Sequence, residues 1–512
     1  ATEMRDRLSA ATGNDRAVRE MLLGTFHSIA LKILRTDGDK LGYDTSRLTV
    51  CSQDDADMLL RQVCEDFGYL KGKTWKAGWS WSKVKDYREE VYTGKDGEEA
   101  IPLVGVLAEY HSRLRSMNVL DFGMILLETT RLFAEHPAVL QRWQSRIKHV
   151  IVDEYQDTDL TQYILHEFFA PPATFWACAD RRQAIYNFRG ARPDLMDVKH
   201  PNAAIIDLKE CFRCGDRIGH AANRLIDHNG DSLAVPMVGA TGREGVVEPH
   251  STTMTDLPAL IADLRCNQRF GWGDIAILAR RHATLRALEW EMVECDIPVH
   301  RVGKAFDICE SEAFLAFHAA LRLEANPKDD LACLRVWEFG GVPKSNRAEM
   351  RKEASEKREP LYKHDGTPSG SLIDVAHHWV ITYPEHRHIT DWWLHHCGLM
   401  TIADALTWFA LRDSQDDHKR GDHVTLCTVH AAKGLEWPCV VVACMNEKEF
   451  PSAMSGKEED GIREERRVAY VAITRAKERL VLHWRPDGDE YETMGRTQVA
   501  RERSRFVGEA TE

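Results

Sequence analysis

The stretch Val150-Ile151-Val152-Asp153-Glu154-Tyr155-Gln156-Asp157-Thr158 decides the fold class. Its first three residues are a continuous β-branched run, the pattern of a strand buried on both faces of a parallel sheet. Two carboxylates follow at once. In open α/β sheets, ligands bind outside the carboxyl ends of the strands. An acid placed there can hold Mg²⁺ through water, and its neighbour can orient or deprotonate an attacking water. The same Asp-Glu pair also suits an ordinary helix N-terminus, so these residues alone leave both readings open.

Working outward, Leu160, Ile164, Leu165 and Phe168 recur at helical spacing, and Phe175–Ala179 reads as the next strand. Residues 1–35 read as helix, a short strand at Met21–Leu23, and a second helix opened by Gly24-Thr25-Phe26-His27-Ser28. Residues 38–115 are polar and read as irregular, with Trp75, Trp79 and Trp81 and a turn at Gly94-Lys95-Asp96-Gly97. Further on, Trp272–Arg280 reads as a turn into a strand. Residues 285–420 read as mostly helical, with charged loops such as Lys344–Pro360. Strands are predicted at Val424–Thr428, Cys439–Cys444 and Leu480–His483, with a tight turn at Gly434 and a helix over Glu464–Lys477. Strands alternating with helices predict an α/β fold with parallel sheets, here in two blocks that each carry a mainly helical insertion.

At 512 residues the chain is too long for one core. Its 67 basic and 80 acidic residues give a net charge of −13. That excludes a uniformly basic nucleic-acid coat, but not a motor with a local positive groove. No apolar run approaches the length of a membrane span; the longest notable one is Val440–Cys444. The opening Ala1–Asp6 reads as charged helix rather than secretory leader. The 13 scattered cysteines argue against a disulfide framework, so a reducing cytoplasm is the expected location.

The run Asp153–Thr158 resembles motif II, the Walker B element, of the UvrD/Rep-type superfamily 1A DNA helicases. The segment Ala179-Asp180-Arg181-Arg182-Gln183-Ala184-Ile185-Tyr186-Asn187-Phe188-Arg189-Gly190-Ala191 resembles their motif III, and Leu208–Cys214 their motif IV. Thr428–Trp437 resembles motif V, and Glu464–Ala476 motif VI. Thr25–Ser28 resembles motif Ib and Ala1–Leu8 the end of motif Ia. These elements stand in family order along nearly the whole chain.

The resemblance implies two RecA-like parallel-sheet motor domains. The first would be residues 1–37 and 116–200, with an accessory insertion at 38–115. The second would be residues 201–284 and 421–512, with an insertion at 285–420. It implies an ATP-dependent 3′–5′ DNA helicase or translocase that closes its motor domains on ATP and grips single-stranded DNA alternately. By resemblance, Asp153 serves Mg²⁺, Glu154 activates water, Gln183 senses the γ-phosphate, and Arg213 and Arg475 are arginine fingers. Phe212 replaces the family's usual Tyr and can still stack on adenine. Glu436 addresses the ribose, and Lys433 and Gly434 lie near the phosphates. Thr25, His27, Tyr186, Phe188, Arg189 and His430 are the implied DNA contacts, since aromatics followed by Arg offer stacking faces and a cation. The partners implied are single-stranded DNA and single-strand/duplex junctions, with no membrane. The pathway, whether repair or replication, is not implied.

The family's P-loop, Gly-x-x-x-x-Gly-Lys-Thr, and its Gln motif precede motif Ia, where this chain opens. They are expected upstream, and residues 1–512 alone are expected not to hydrolyse ATP and to expose apolar surface at Val150–Val152. Gly72-Lys73-Thr74 has neither the spacing nor the strand–helix context of a P-loop. Cys211-Phe212-Arg213-Cys214 occupies the family's Asn-Tyr-Arg-Ser and has no partner pair spaced for zinc. The cluster His386, His388, His395, His396 and Cys397 reads as a solvated helical face. A non-catalytic DNA-binding or assembly subunit is the rival reading; a helicase–nuclease fusion would need a metal-carboxylate domain that these residues do not contain.

Overall fold

The computed structural model describes residues 2–512 except 95–100, 171–172, 196–202, 231–234, 269, 303–308, 310, 344–345, 348, 350–370, 411–420, 454–458, 494–495 and 500–501. The side chains of 2–3, 101–102, 188, 490–493 and 496–499 are also outside the description. The chain divides into two compact units. The first is Ala1–Val152, Thr158–Ala177 and Ile308–Arg412; the second is Asp153–Asp157, Cys178–Asp307 and Asp413–Glu512.

The first unit is mainly helical. Strand β1 (His149–Val152) pairs in parallel with β2 (Thr174–Ala177). Ile151 is 72% and Trp176 55% exposed. The apolar run at 150–152 is therefore covered on one face only: Ile151 is open to solvent, while Val150 is half-buried and Val152 buried. No strand forms at Met21–Leu23; the chain there is extended and leads to Thr25, whose Oγ1 caps the helix Phe26–Asp37.

The segment read as irregular is largely helical. Gln53–Asp66 is capped by Ser52 and buries Ala56, Leu59, Leu60, Val63 and Cys64, the stripe of an amphipathic helix. Trp81–Thr93 ends at Gly94, whose φ of +74° suits a residue without Cβ; residues 95–97 of the predicted turn lie outside the described residues. Gly72-Lys73 is the turn of a small hairpin between Leu70–Lys71 and Thr74–Trp75, so no helix follows it as a P-loop requires.

The helices Glu312–Ala325 and Asp330–Phe339 pack on this body through buried charge. Arg322, fully buried, is held by Asp55 and by Asp329 at 2.6 Å, and Arg335 reaches Asp55 at 2.6 Å. Asn326 donates to the Met117 and Asn118 carbonyls at 2.9 and 3.2 Å. These buried ion pairs and hydrogen bonds specify the register. Much of the range assigned to the second accessory insertion thus clusters with the first unit. Arg387–Cys397 is a helix with His388 and His395 exposed and His396 against Trp392. Among the described residues no His, Cys, Asp or Glu grouping could hold a metal, and no helix is long and apolar enough to cross a membrane.

The second unit carries a six-stranded sheet. Its strands are β3 (Val246–Ser251), β4 (Ile275–Ala279), β5 (Val299–Arg301), β6 (Val424–Thr428), β7 (Trp437–Val442) and β8 (Ala476–Trp484). Their order is β5-β6-β4-β7-β8-β3, and every pairing is parallel. All five residues of β4 and of β6 are buried, as expected of strands covered on both faces. Helices Asp216–Asp227 and Glu459–Ile473 bury Ile218, Leu225, Val468 and Ile473 in one core. Leu285, Leu288 and Met292 of helix His282–Glu294 join another. That helix and β5 belong to the sheet domain, which therefore runs past the boundary placed at residue 284.

Candidate nucleotide site

Motif residues 153–157 and 178–190 fold with the second unit, so the elements of motifs II to VI meet within one body. After β1 the chain enters a single 3-10 turn at Tyr155–Asp157, anchored by the Tyr155 N–H to the Cys178 carbonyl at 2.9 Å. The Asp180 N–H donates to Gln156 Oε1 at 3.0 Å, tying motif II to motif III. Glu154 has φ of +51°, a left-handed conformation that a non-glycine residue adopts at a cost. The turn thereby leaves both acids exposed. Asp153 Oδ1 accepts the Glu154 N–H at 3.0 Å. This exposed hard oxygen donor fits Mg²⁺ chemistry.

Lys433 is the hub of the cluster. It is 4% exposed, and its Nζ contacts Asp157, Glu154 Oε2 at 3.4 Å and the Gln183 carbonyl at 3.1 Å. Burial pushes the Asp157 carboxyl up to about 6, with Lys433 opposing the shift. The Gln183 amide donates to Asp180 at 2.9 Å, while its Oε1 accepts from Arg475 at 3.4 Å. Arg475 is fully buried, donating to the Val471 and Leu435 carbonyls at 3.0 and 3.3 Å. Burial, with Arg213 nearby, lowers its guanidinium to about 10, still protonated at neutral pH.

Beside this lies a cleft of about 550 Å³ lined by Asp180, Gln183, Phe212, Arg213, Glu436 and Lys477, among others. Phe212 is 72% exposed and forms part of its wall. Glu436 accepts from Arg213 at 2.6 Å and Lys477 at 2.7 Å. Burial pushes this carboxyl up, but the two cations outweigh it and hold it at about 2. Gly434, at φ +85°, turns the chain between Lys433 and Glu436.

Tyr186 is half-buried, and its hydroxyl donates to the His430 carbonyl at 3.3 Å. Lys433 and the exposed Arg189 lie 5.2 and 5.5 Å from the centre of its ring. Desolvation holds His430 near 4, so its imidazole is neutral at pH 7. The Phe188 side chain lies outside the described residues. Thr25 and His27 belong to the first unit, where His27 stacks on Phe122 at 3.8 Å between centroids. Desolvation holds His27 near 4 as well.

Three participants escaped the sequence reading. Lys477 is the second cation on Glu436, and its signal was its place two residues after Arg475. Asp157 is the acid paired with Lys433, within the motif but without an assigned role. Phe122 carries no local signal, because its partner His27 is far away in sequence.

The family model for the UvrD/REP helicase N-terminal domain matches residues 1–203, and that for the UvrD-like helicase C-terminal domain matches residues 372–486. The ATP-dependent DNA helicase PcrA of Leuconostoc citreum is 27% identical over 99% of this chain and 77% of its own length. The ATP-dependent DNA helicase Rep of Salmonella typhimurium is 27% identical over 98% of this chain and 84% of its own. PcrA of Staphylococcus aureus is 26% identical over 94% and 75%. Two family domains in order and relatives aligned along nearly the whole chain agree with the motif cluster: the chain belongs to the UvrD/Rep family of DNA helicases.

Proposed function

We propose that this chain carries the motor of an ATP-dependent 3′–5′ helicase or translocase acting on single-stranded DNA and single-strand/duplex junctions. The observation that carries the reading is the convergence of Glu154, Gln183, Lys433 and Arg475 in one buried-edged cluster beside a cleft bearing Phe212, Arg213 and Glu436. Scaffolds that have lost ATP chemistry have no reason to keep this set together, which disfavours the rival assembly subunit.

The roles follow from the chemistry. Phe212 offers an exposed ring to adenine, and Glu436, ionised and pinned by two cations, accepts from ribose hydroxyls. Gln183 and Arg475, hydrogen-bonded to each other, would meet the γ-phosphate, with Arg213 as the second guanidinium. Such arginines are worth about 10³–10⁵ in rate in other nucleotide hydrolases. Asp153 would hold Mg²⁺, which supplies charge neutralisation on the phosphates when bound. Glu154 orients and deprotonates the attacking water. Lys433 and Gly434 sit on the phosphate side. Tyr186 links this set to DNA: one edge touches motif V through the His430 carbonyl, and its ring, with Phe188 and Arg189, is the stacking station. Thr25 and His27 contribute the single-strand contact of the first unit.

The test is unwinding of tailed duplexes by the chain with a P-loop segment joined ahead of Ala1. A 3′-tailed duplex is opened and a 5′-tailed one is not; the reverse preference overturns the polarity.

A further inference from the structure

We infer that Cys211 and Cys214 form a redox-active dithiol, a modification site in the wall of the nucleotide cleft that a peroxide-class oxidant converts to an intramolecular disulfide. Cys211 closes a short strand, Glu210–Cys211, and is half-exposed on the cleft. Cys214 is 1% exposed and lies one residue before Gly215, the N-cap of the helix Asp216–Asp227. The turn between them is tight: the Cys214 N–H donates to Cys211 Sγ at 3.4 Å, while the Cys214 thiol donates to the Thr474 carbonyl at 3.7 Å. The Cys-x-x-Cys turn thus folds the backbone of the second cysteine onto the sulfur of the first, and rotation of the Cys214 side chain away from Thr474 is the movement a bridge needs.

The two thiols differ in the way such a pair requires. The neighbouring Cys214 and the turn's N–H groups pull Cys211 below the ordinary thiol value, favouring its thiolate. The neighbouring Cys211 and burial push Cys214 up, keeping it protonated as the resolving thiol. A low-pKa, accessible cysteine beside a resolving one, ahead of a helix N-terminus, is the arrangement that oxidises selectively.

The chemistry balances with hydrogen peroxide. The Cys211 thiolate attacks one peroxide oxygen and the O–O bond breaks, giving Cys211 sulfenic acid and a hydroxide that takes up a proton as water. Cys214, losing its proton, attacks the sulfenic sulfur; the S–S bond forms and the sulfenic hydroxyl leaves as a second water. A dithiol reductant reverses the step by exchange. Bridging removes the Cys214 thiol's bond to the Thr474 carbonyl, the same carbonyl that Arg213 contacts at 3.4 Å. Any effect of that loss on nucleotide binding through Arg213 rests on the function proposed above; the dithiol itself does not, so its mapping succeeds or fails separately.

Trypsin cuts after Arg213 and Arg217, releasing Glu210–Arg213 and Cys214–Arg217 as separate peptides unless a disulfide joins them. Residues 1–512 are treated with limiting hydrogen peroxide, quenched with N-ethylmaleimide, digested and mapped by mass spectrometry. The expected result is that the two alkylated peptides are replaced by one joined pair, restored by dithiothreitol, at a dose that leaves the exposed Cys178, Cys266 and Cys295 alkylated. In Cys214→Ser, dimedone should label Cys211. Peptides that remain separately alkylated while the exposed cysteines oxidise, or dimedone labelling at Cys214 in Cys211→Ser instead, would overturn the inference.

Discussion

Replacing Lys433 with Met should destabilise the second unit, and the loss should depend on pH. The side chain is buried, and its amine offsets Asp157, whose folded carboxyl already sits at about 6 against 3.8 unperturbed. The sign follows from that direction. A raised acid is protonated more readily in the folded state, so the parent loses stability as pH rises from about 4 to about 6. Removing the cation raises the folded value further and extends that loss to higher pH. Stranding one partner of a buried pair costs about 3–5 kcal/mol. Asp157 can escape part of this by taking a proton, at about 1.4 kcal/mol per pH unit above its own value. With that value at about 6 or higher, the escape caps the penalty at ~3 kcal/mol at pH 8. At pH 5 the carboxyl is largely protonated in the parent too, and the penalty should fall below about 1 kcal/mol. Hydrogen exchange at the amides of Val440–Val442, buried in β7, reads the opening energy at both pH values. An equal loss at pH 5 and pH 8 would refute the role of Asp157 as the partner that sets the cost.

Tyr186→Ala with Phe188→Ala should weaken binding to a fluorescent oligothymidine by roughly 2–6 kcal/mol before compensation by phosphate contacts. Unchanged anisotropy titrations would assign both rings to packing. In the first unit, Asp55→Asn leaves Arg322 and Arg335 short of their shared carboxylate and should cost about 3–5 kcal/mol, read as a lower urea midpoint. The second unit's amides should then exchange as in the parent.

Much of this was legible because family motifs are short and contiguous, and because buried parallel strands write themselves as apolar runs. β4, β6 and β7 are examples. β5 was not legible: Val299-His300-Arg301 has one apolar residue, and only its register against Val424–Leu426 makes it a strand. The helix Gln53–Asp66 did carry its stripe in the sequence, but acids and tryptophans around it obscured the period. The apolar Met21-Leu22-Leu23 looked like a strand, yet no neighbour pairs with it among the described residues and the cap at Thr25 takes precedence. Charge pairings such as Arg322 with Asp55, or Lys433 with Asp157, join residues hundreds of positions apart and leave no local trace. The half-burial of Tyr186 was equally invisible, since a stacking ring and a packed ring look the same in sequence.

The measurement that bears most directly on the central claim is steady-state ATP hydrolysis on single-stranded DNA by the chain with a P-loop segment joined ahead of Ala1. The parent is compared with Glu154→Gln. Glu154 stands exposed on its left-handed turn beside Asp153, where a water activator is needed. The account predicts DNA-stimulated turnover in the parent. In the variant, nucleotide and DNA binding persist while turnover drops by about 10²–10⁴-fold, the contribution expected of a positioned general base. Turnover in the variant within about tenfold of the parent would contradict the account, because the cluster built around Glu154 would then not be the hydrolytic site.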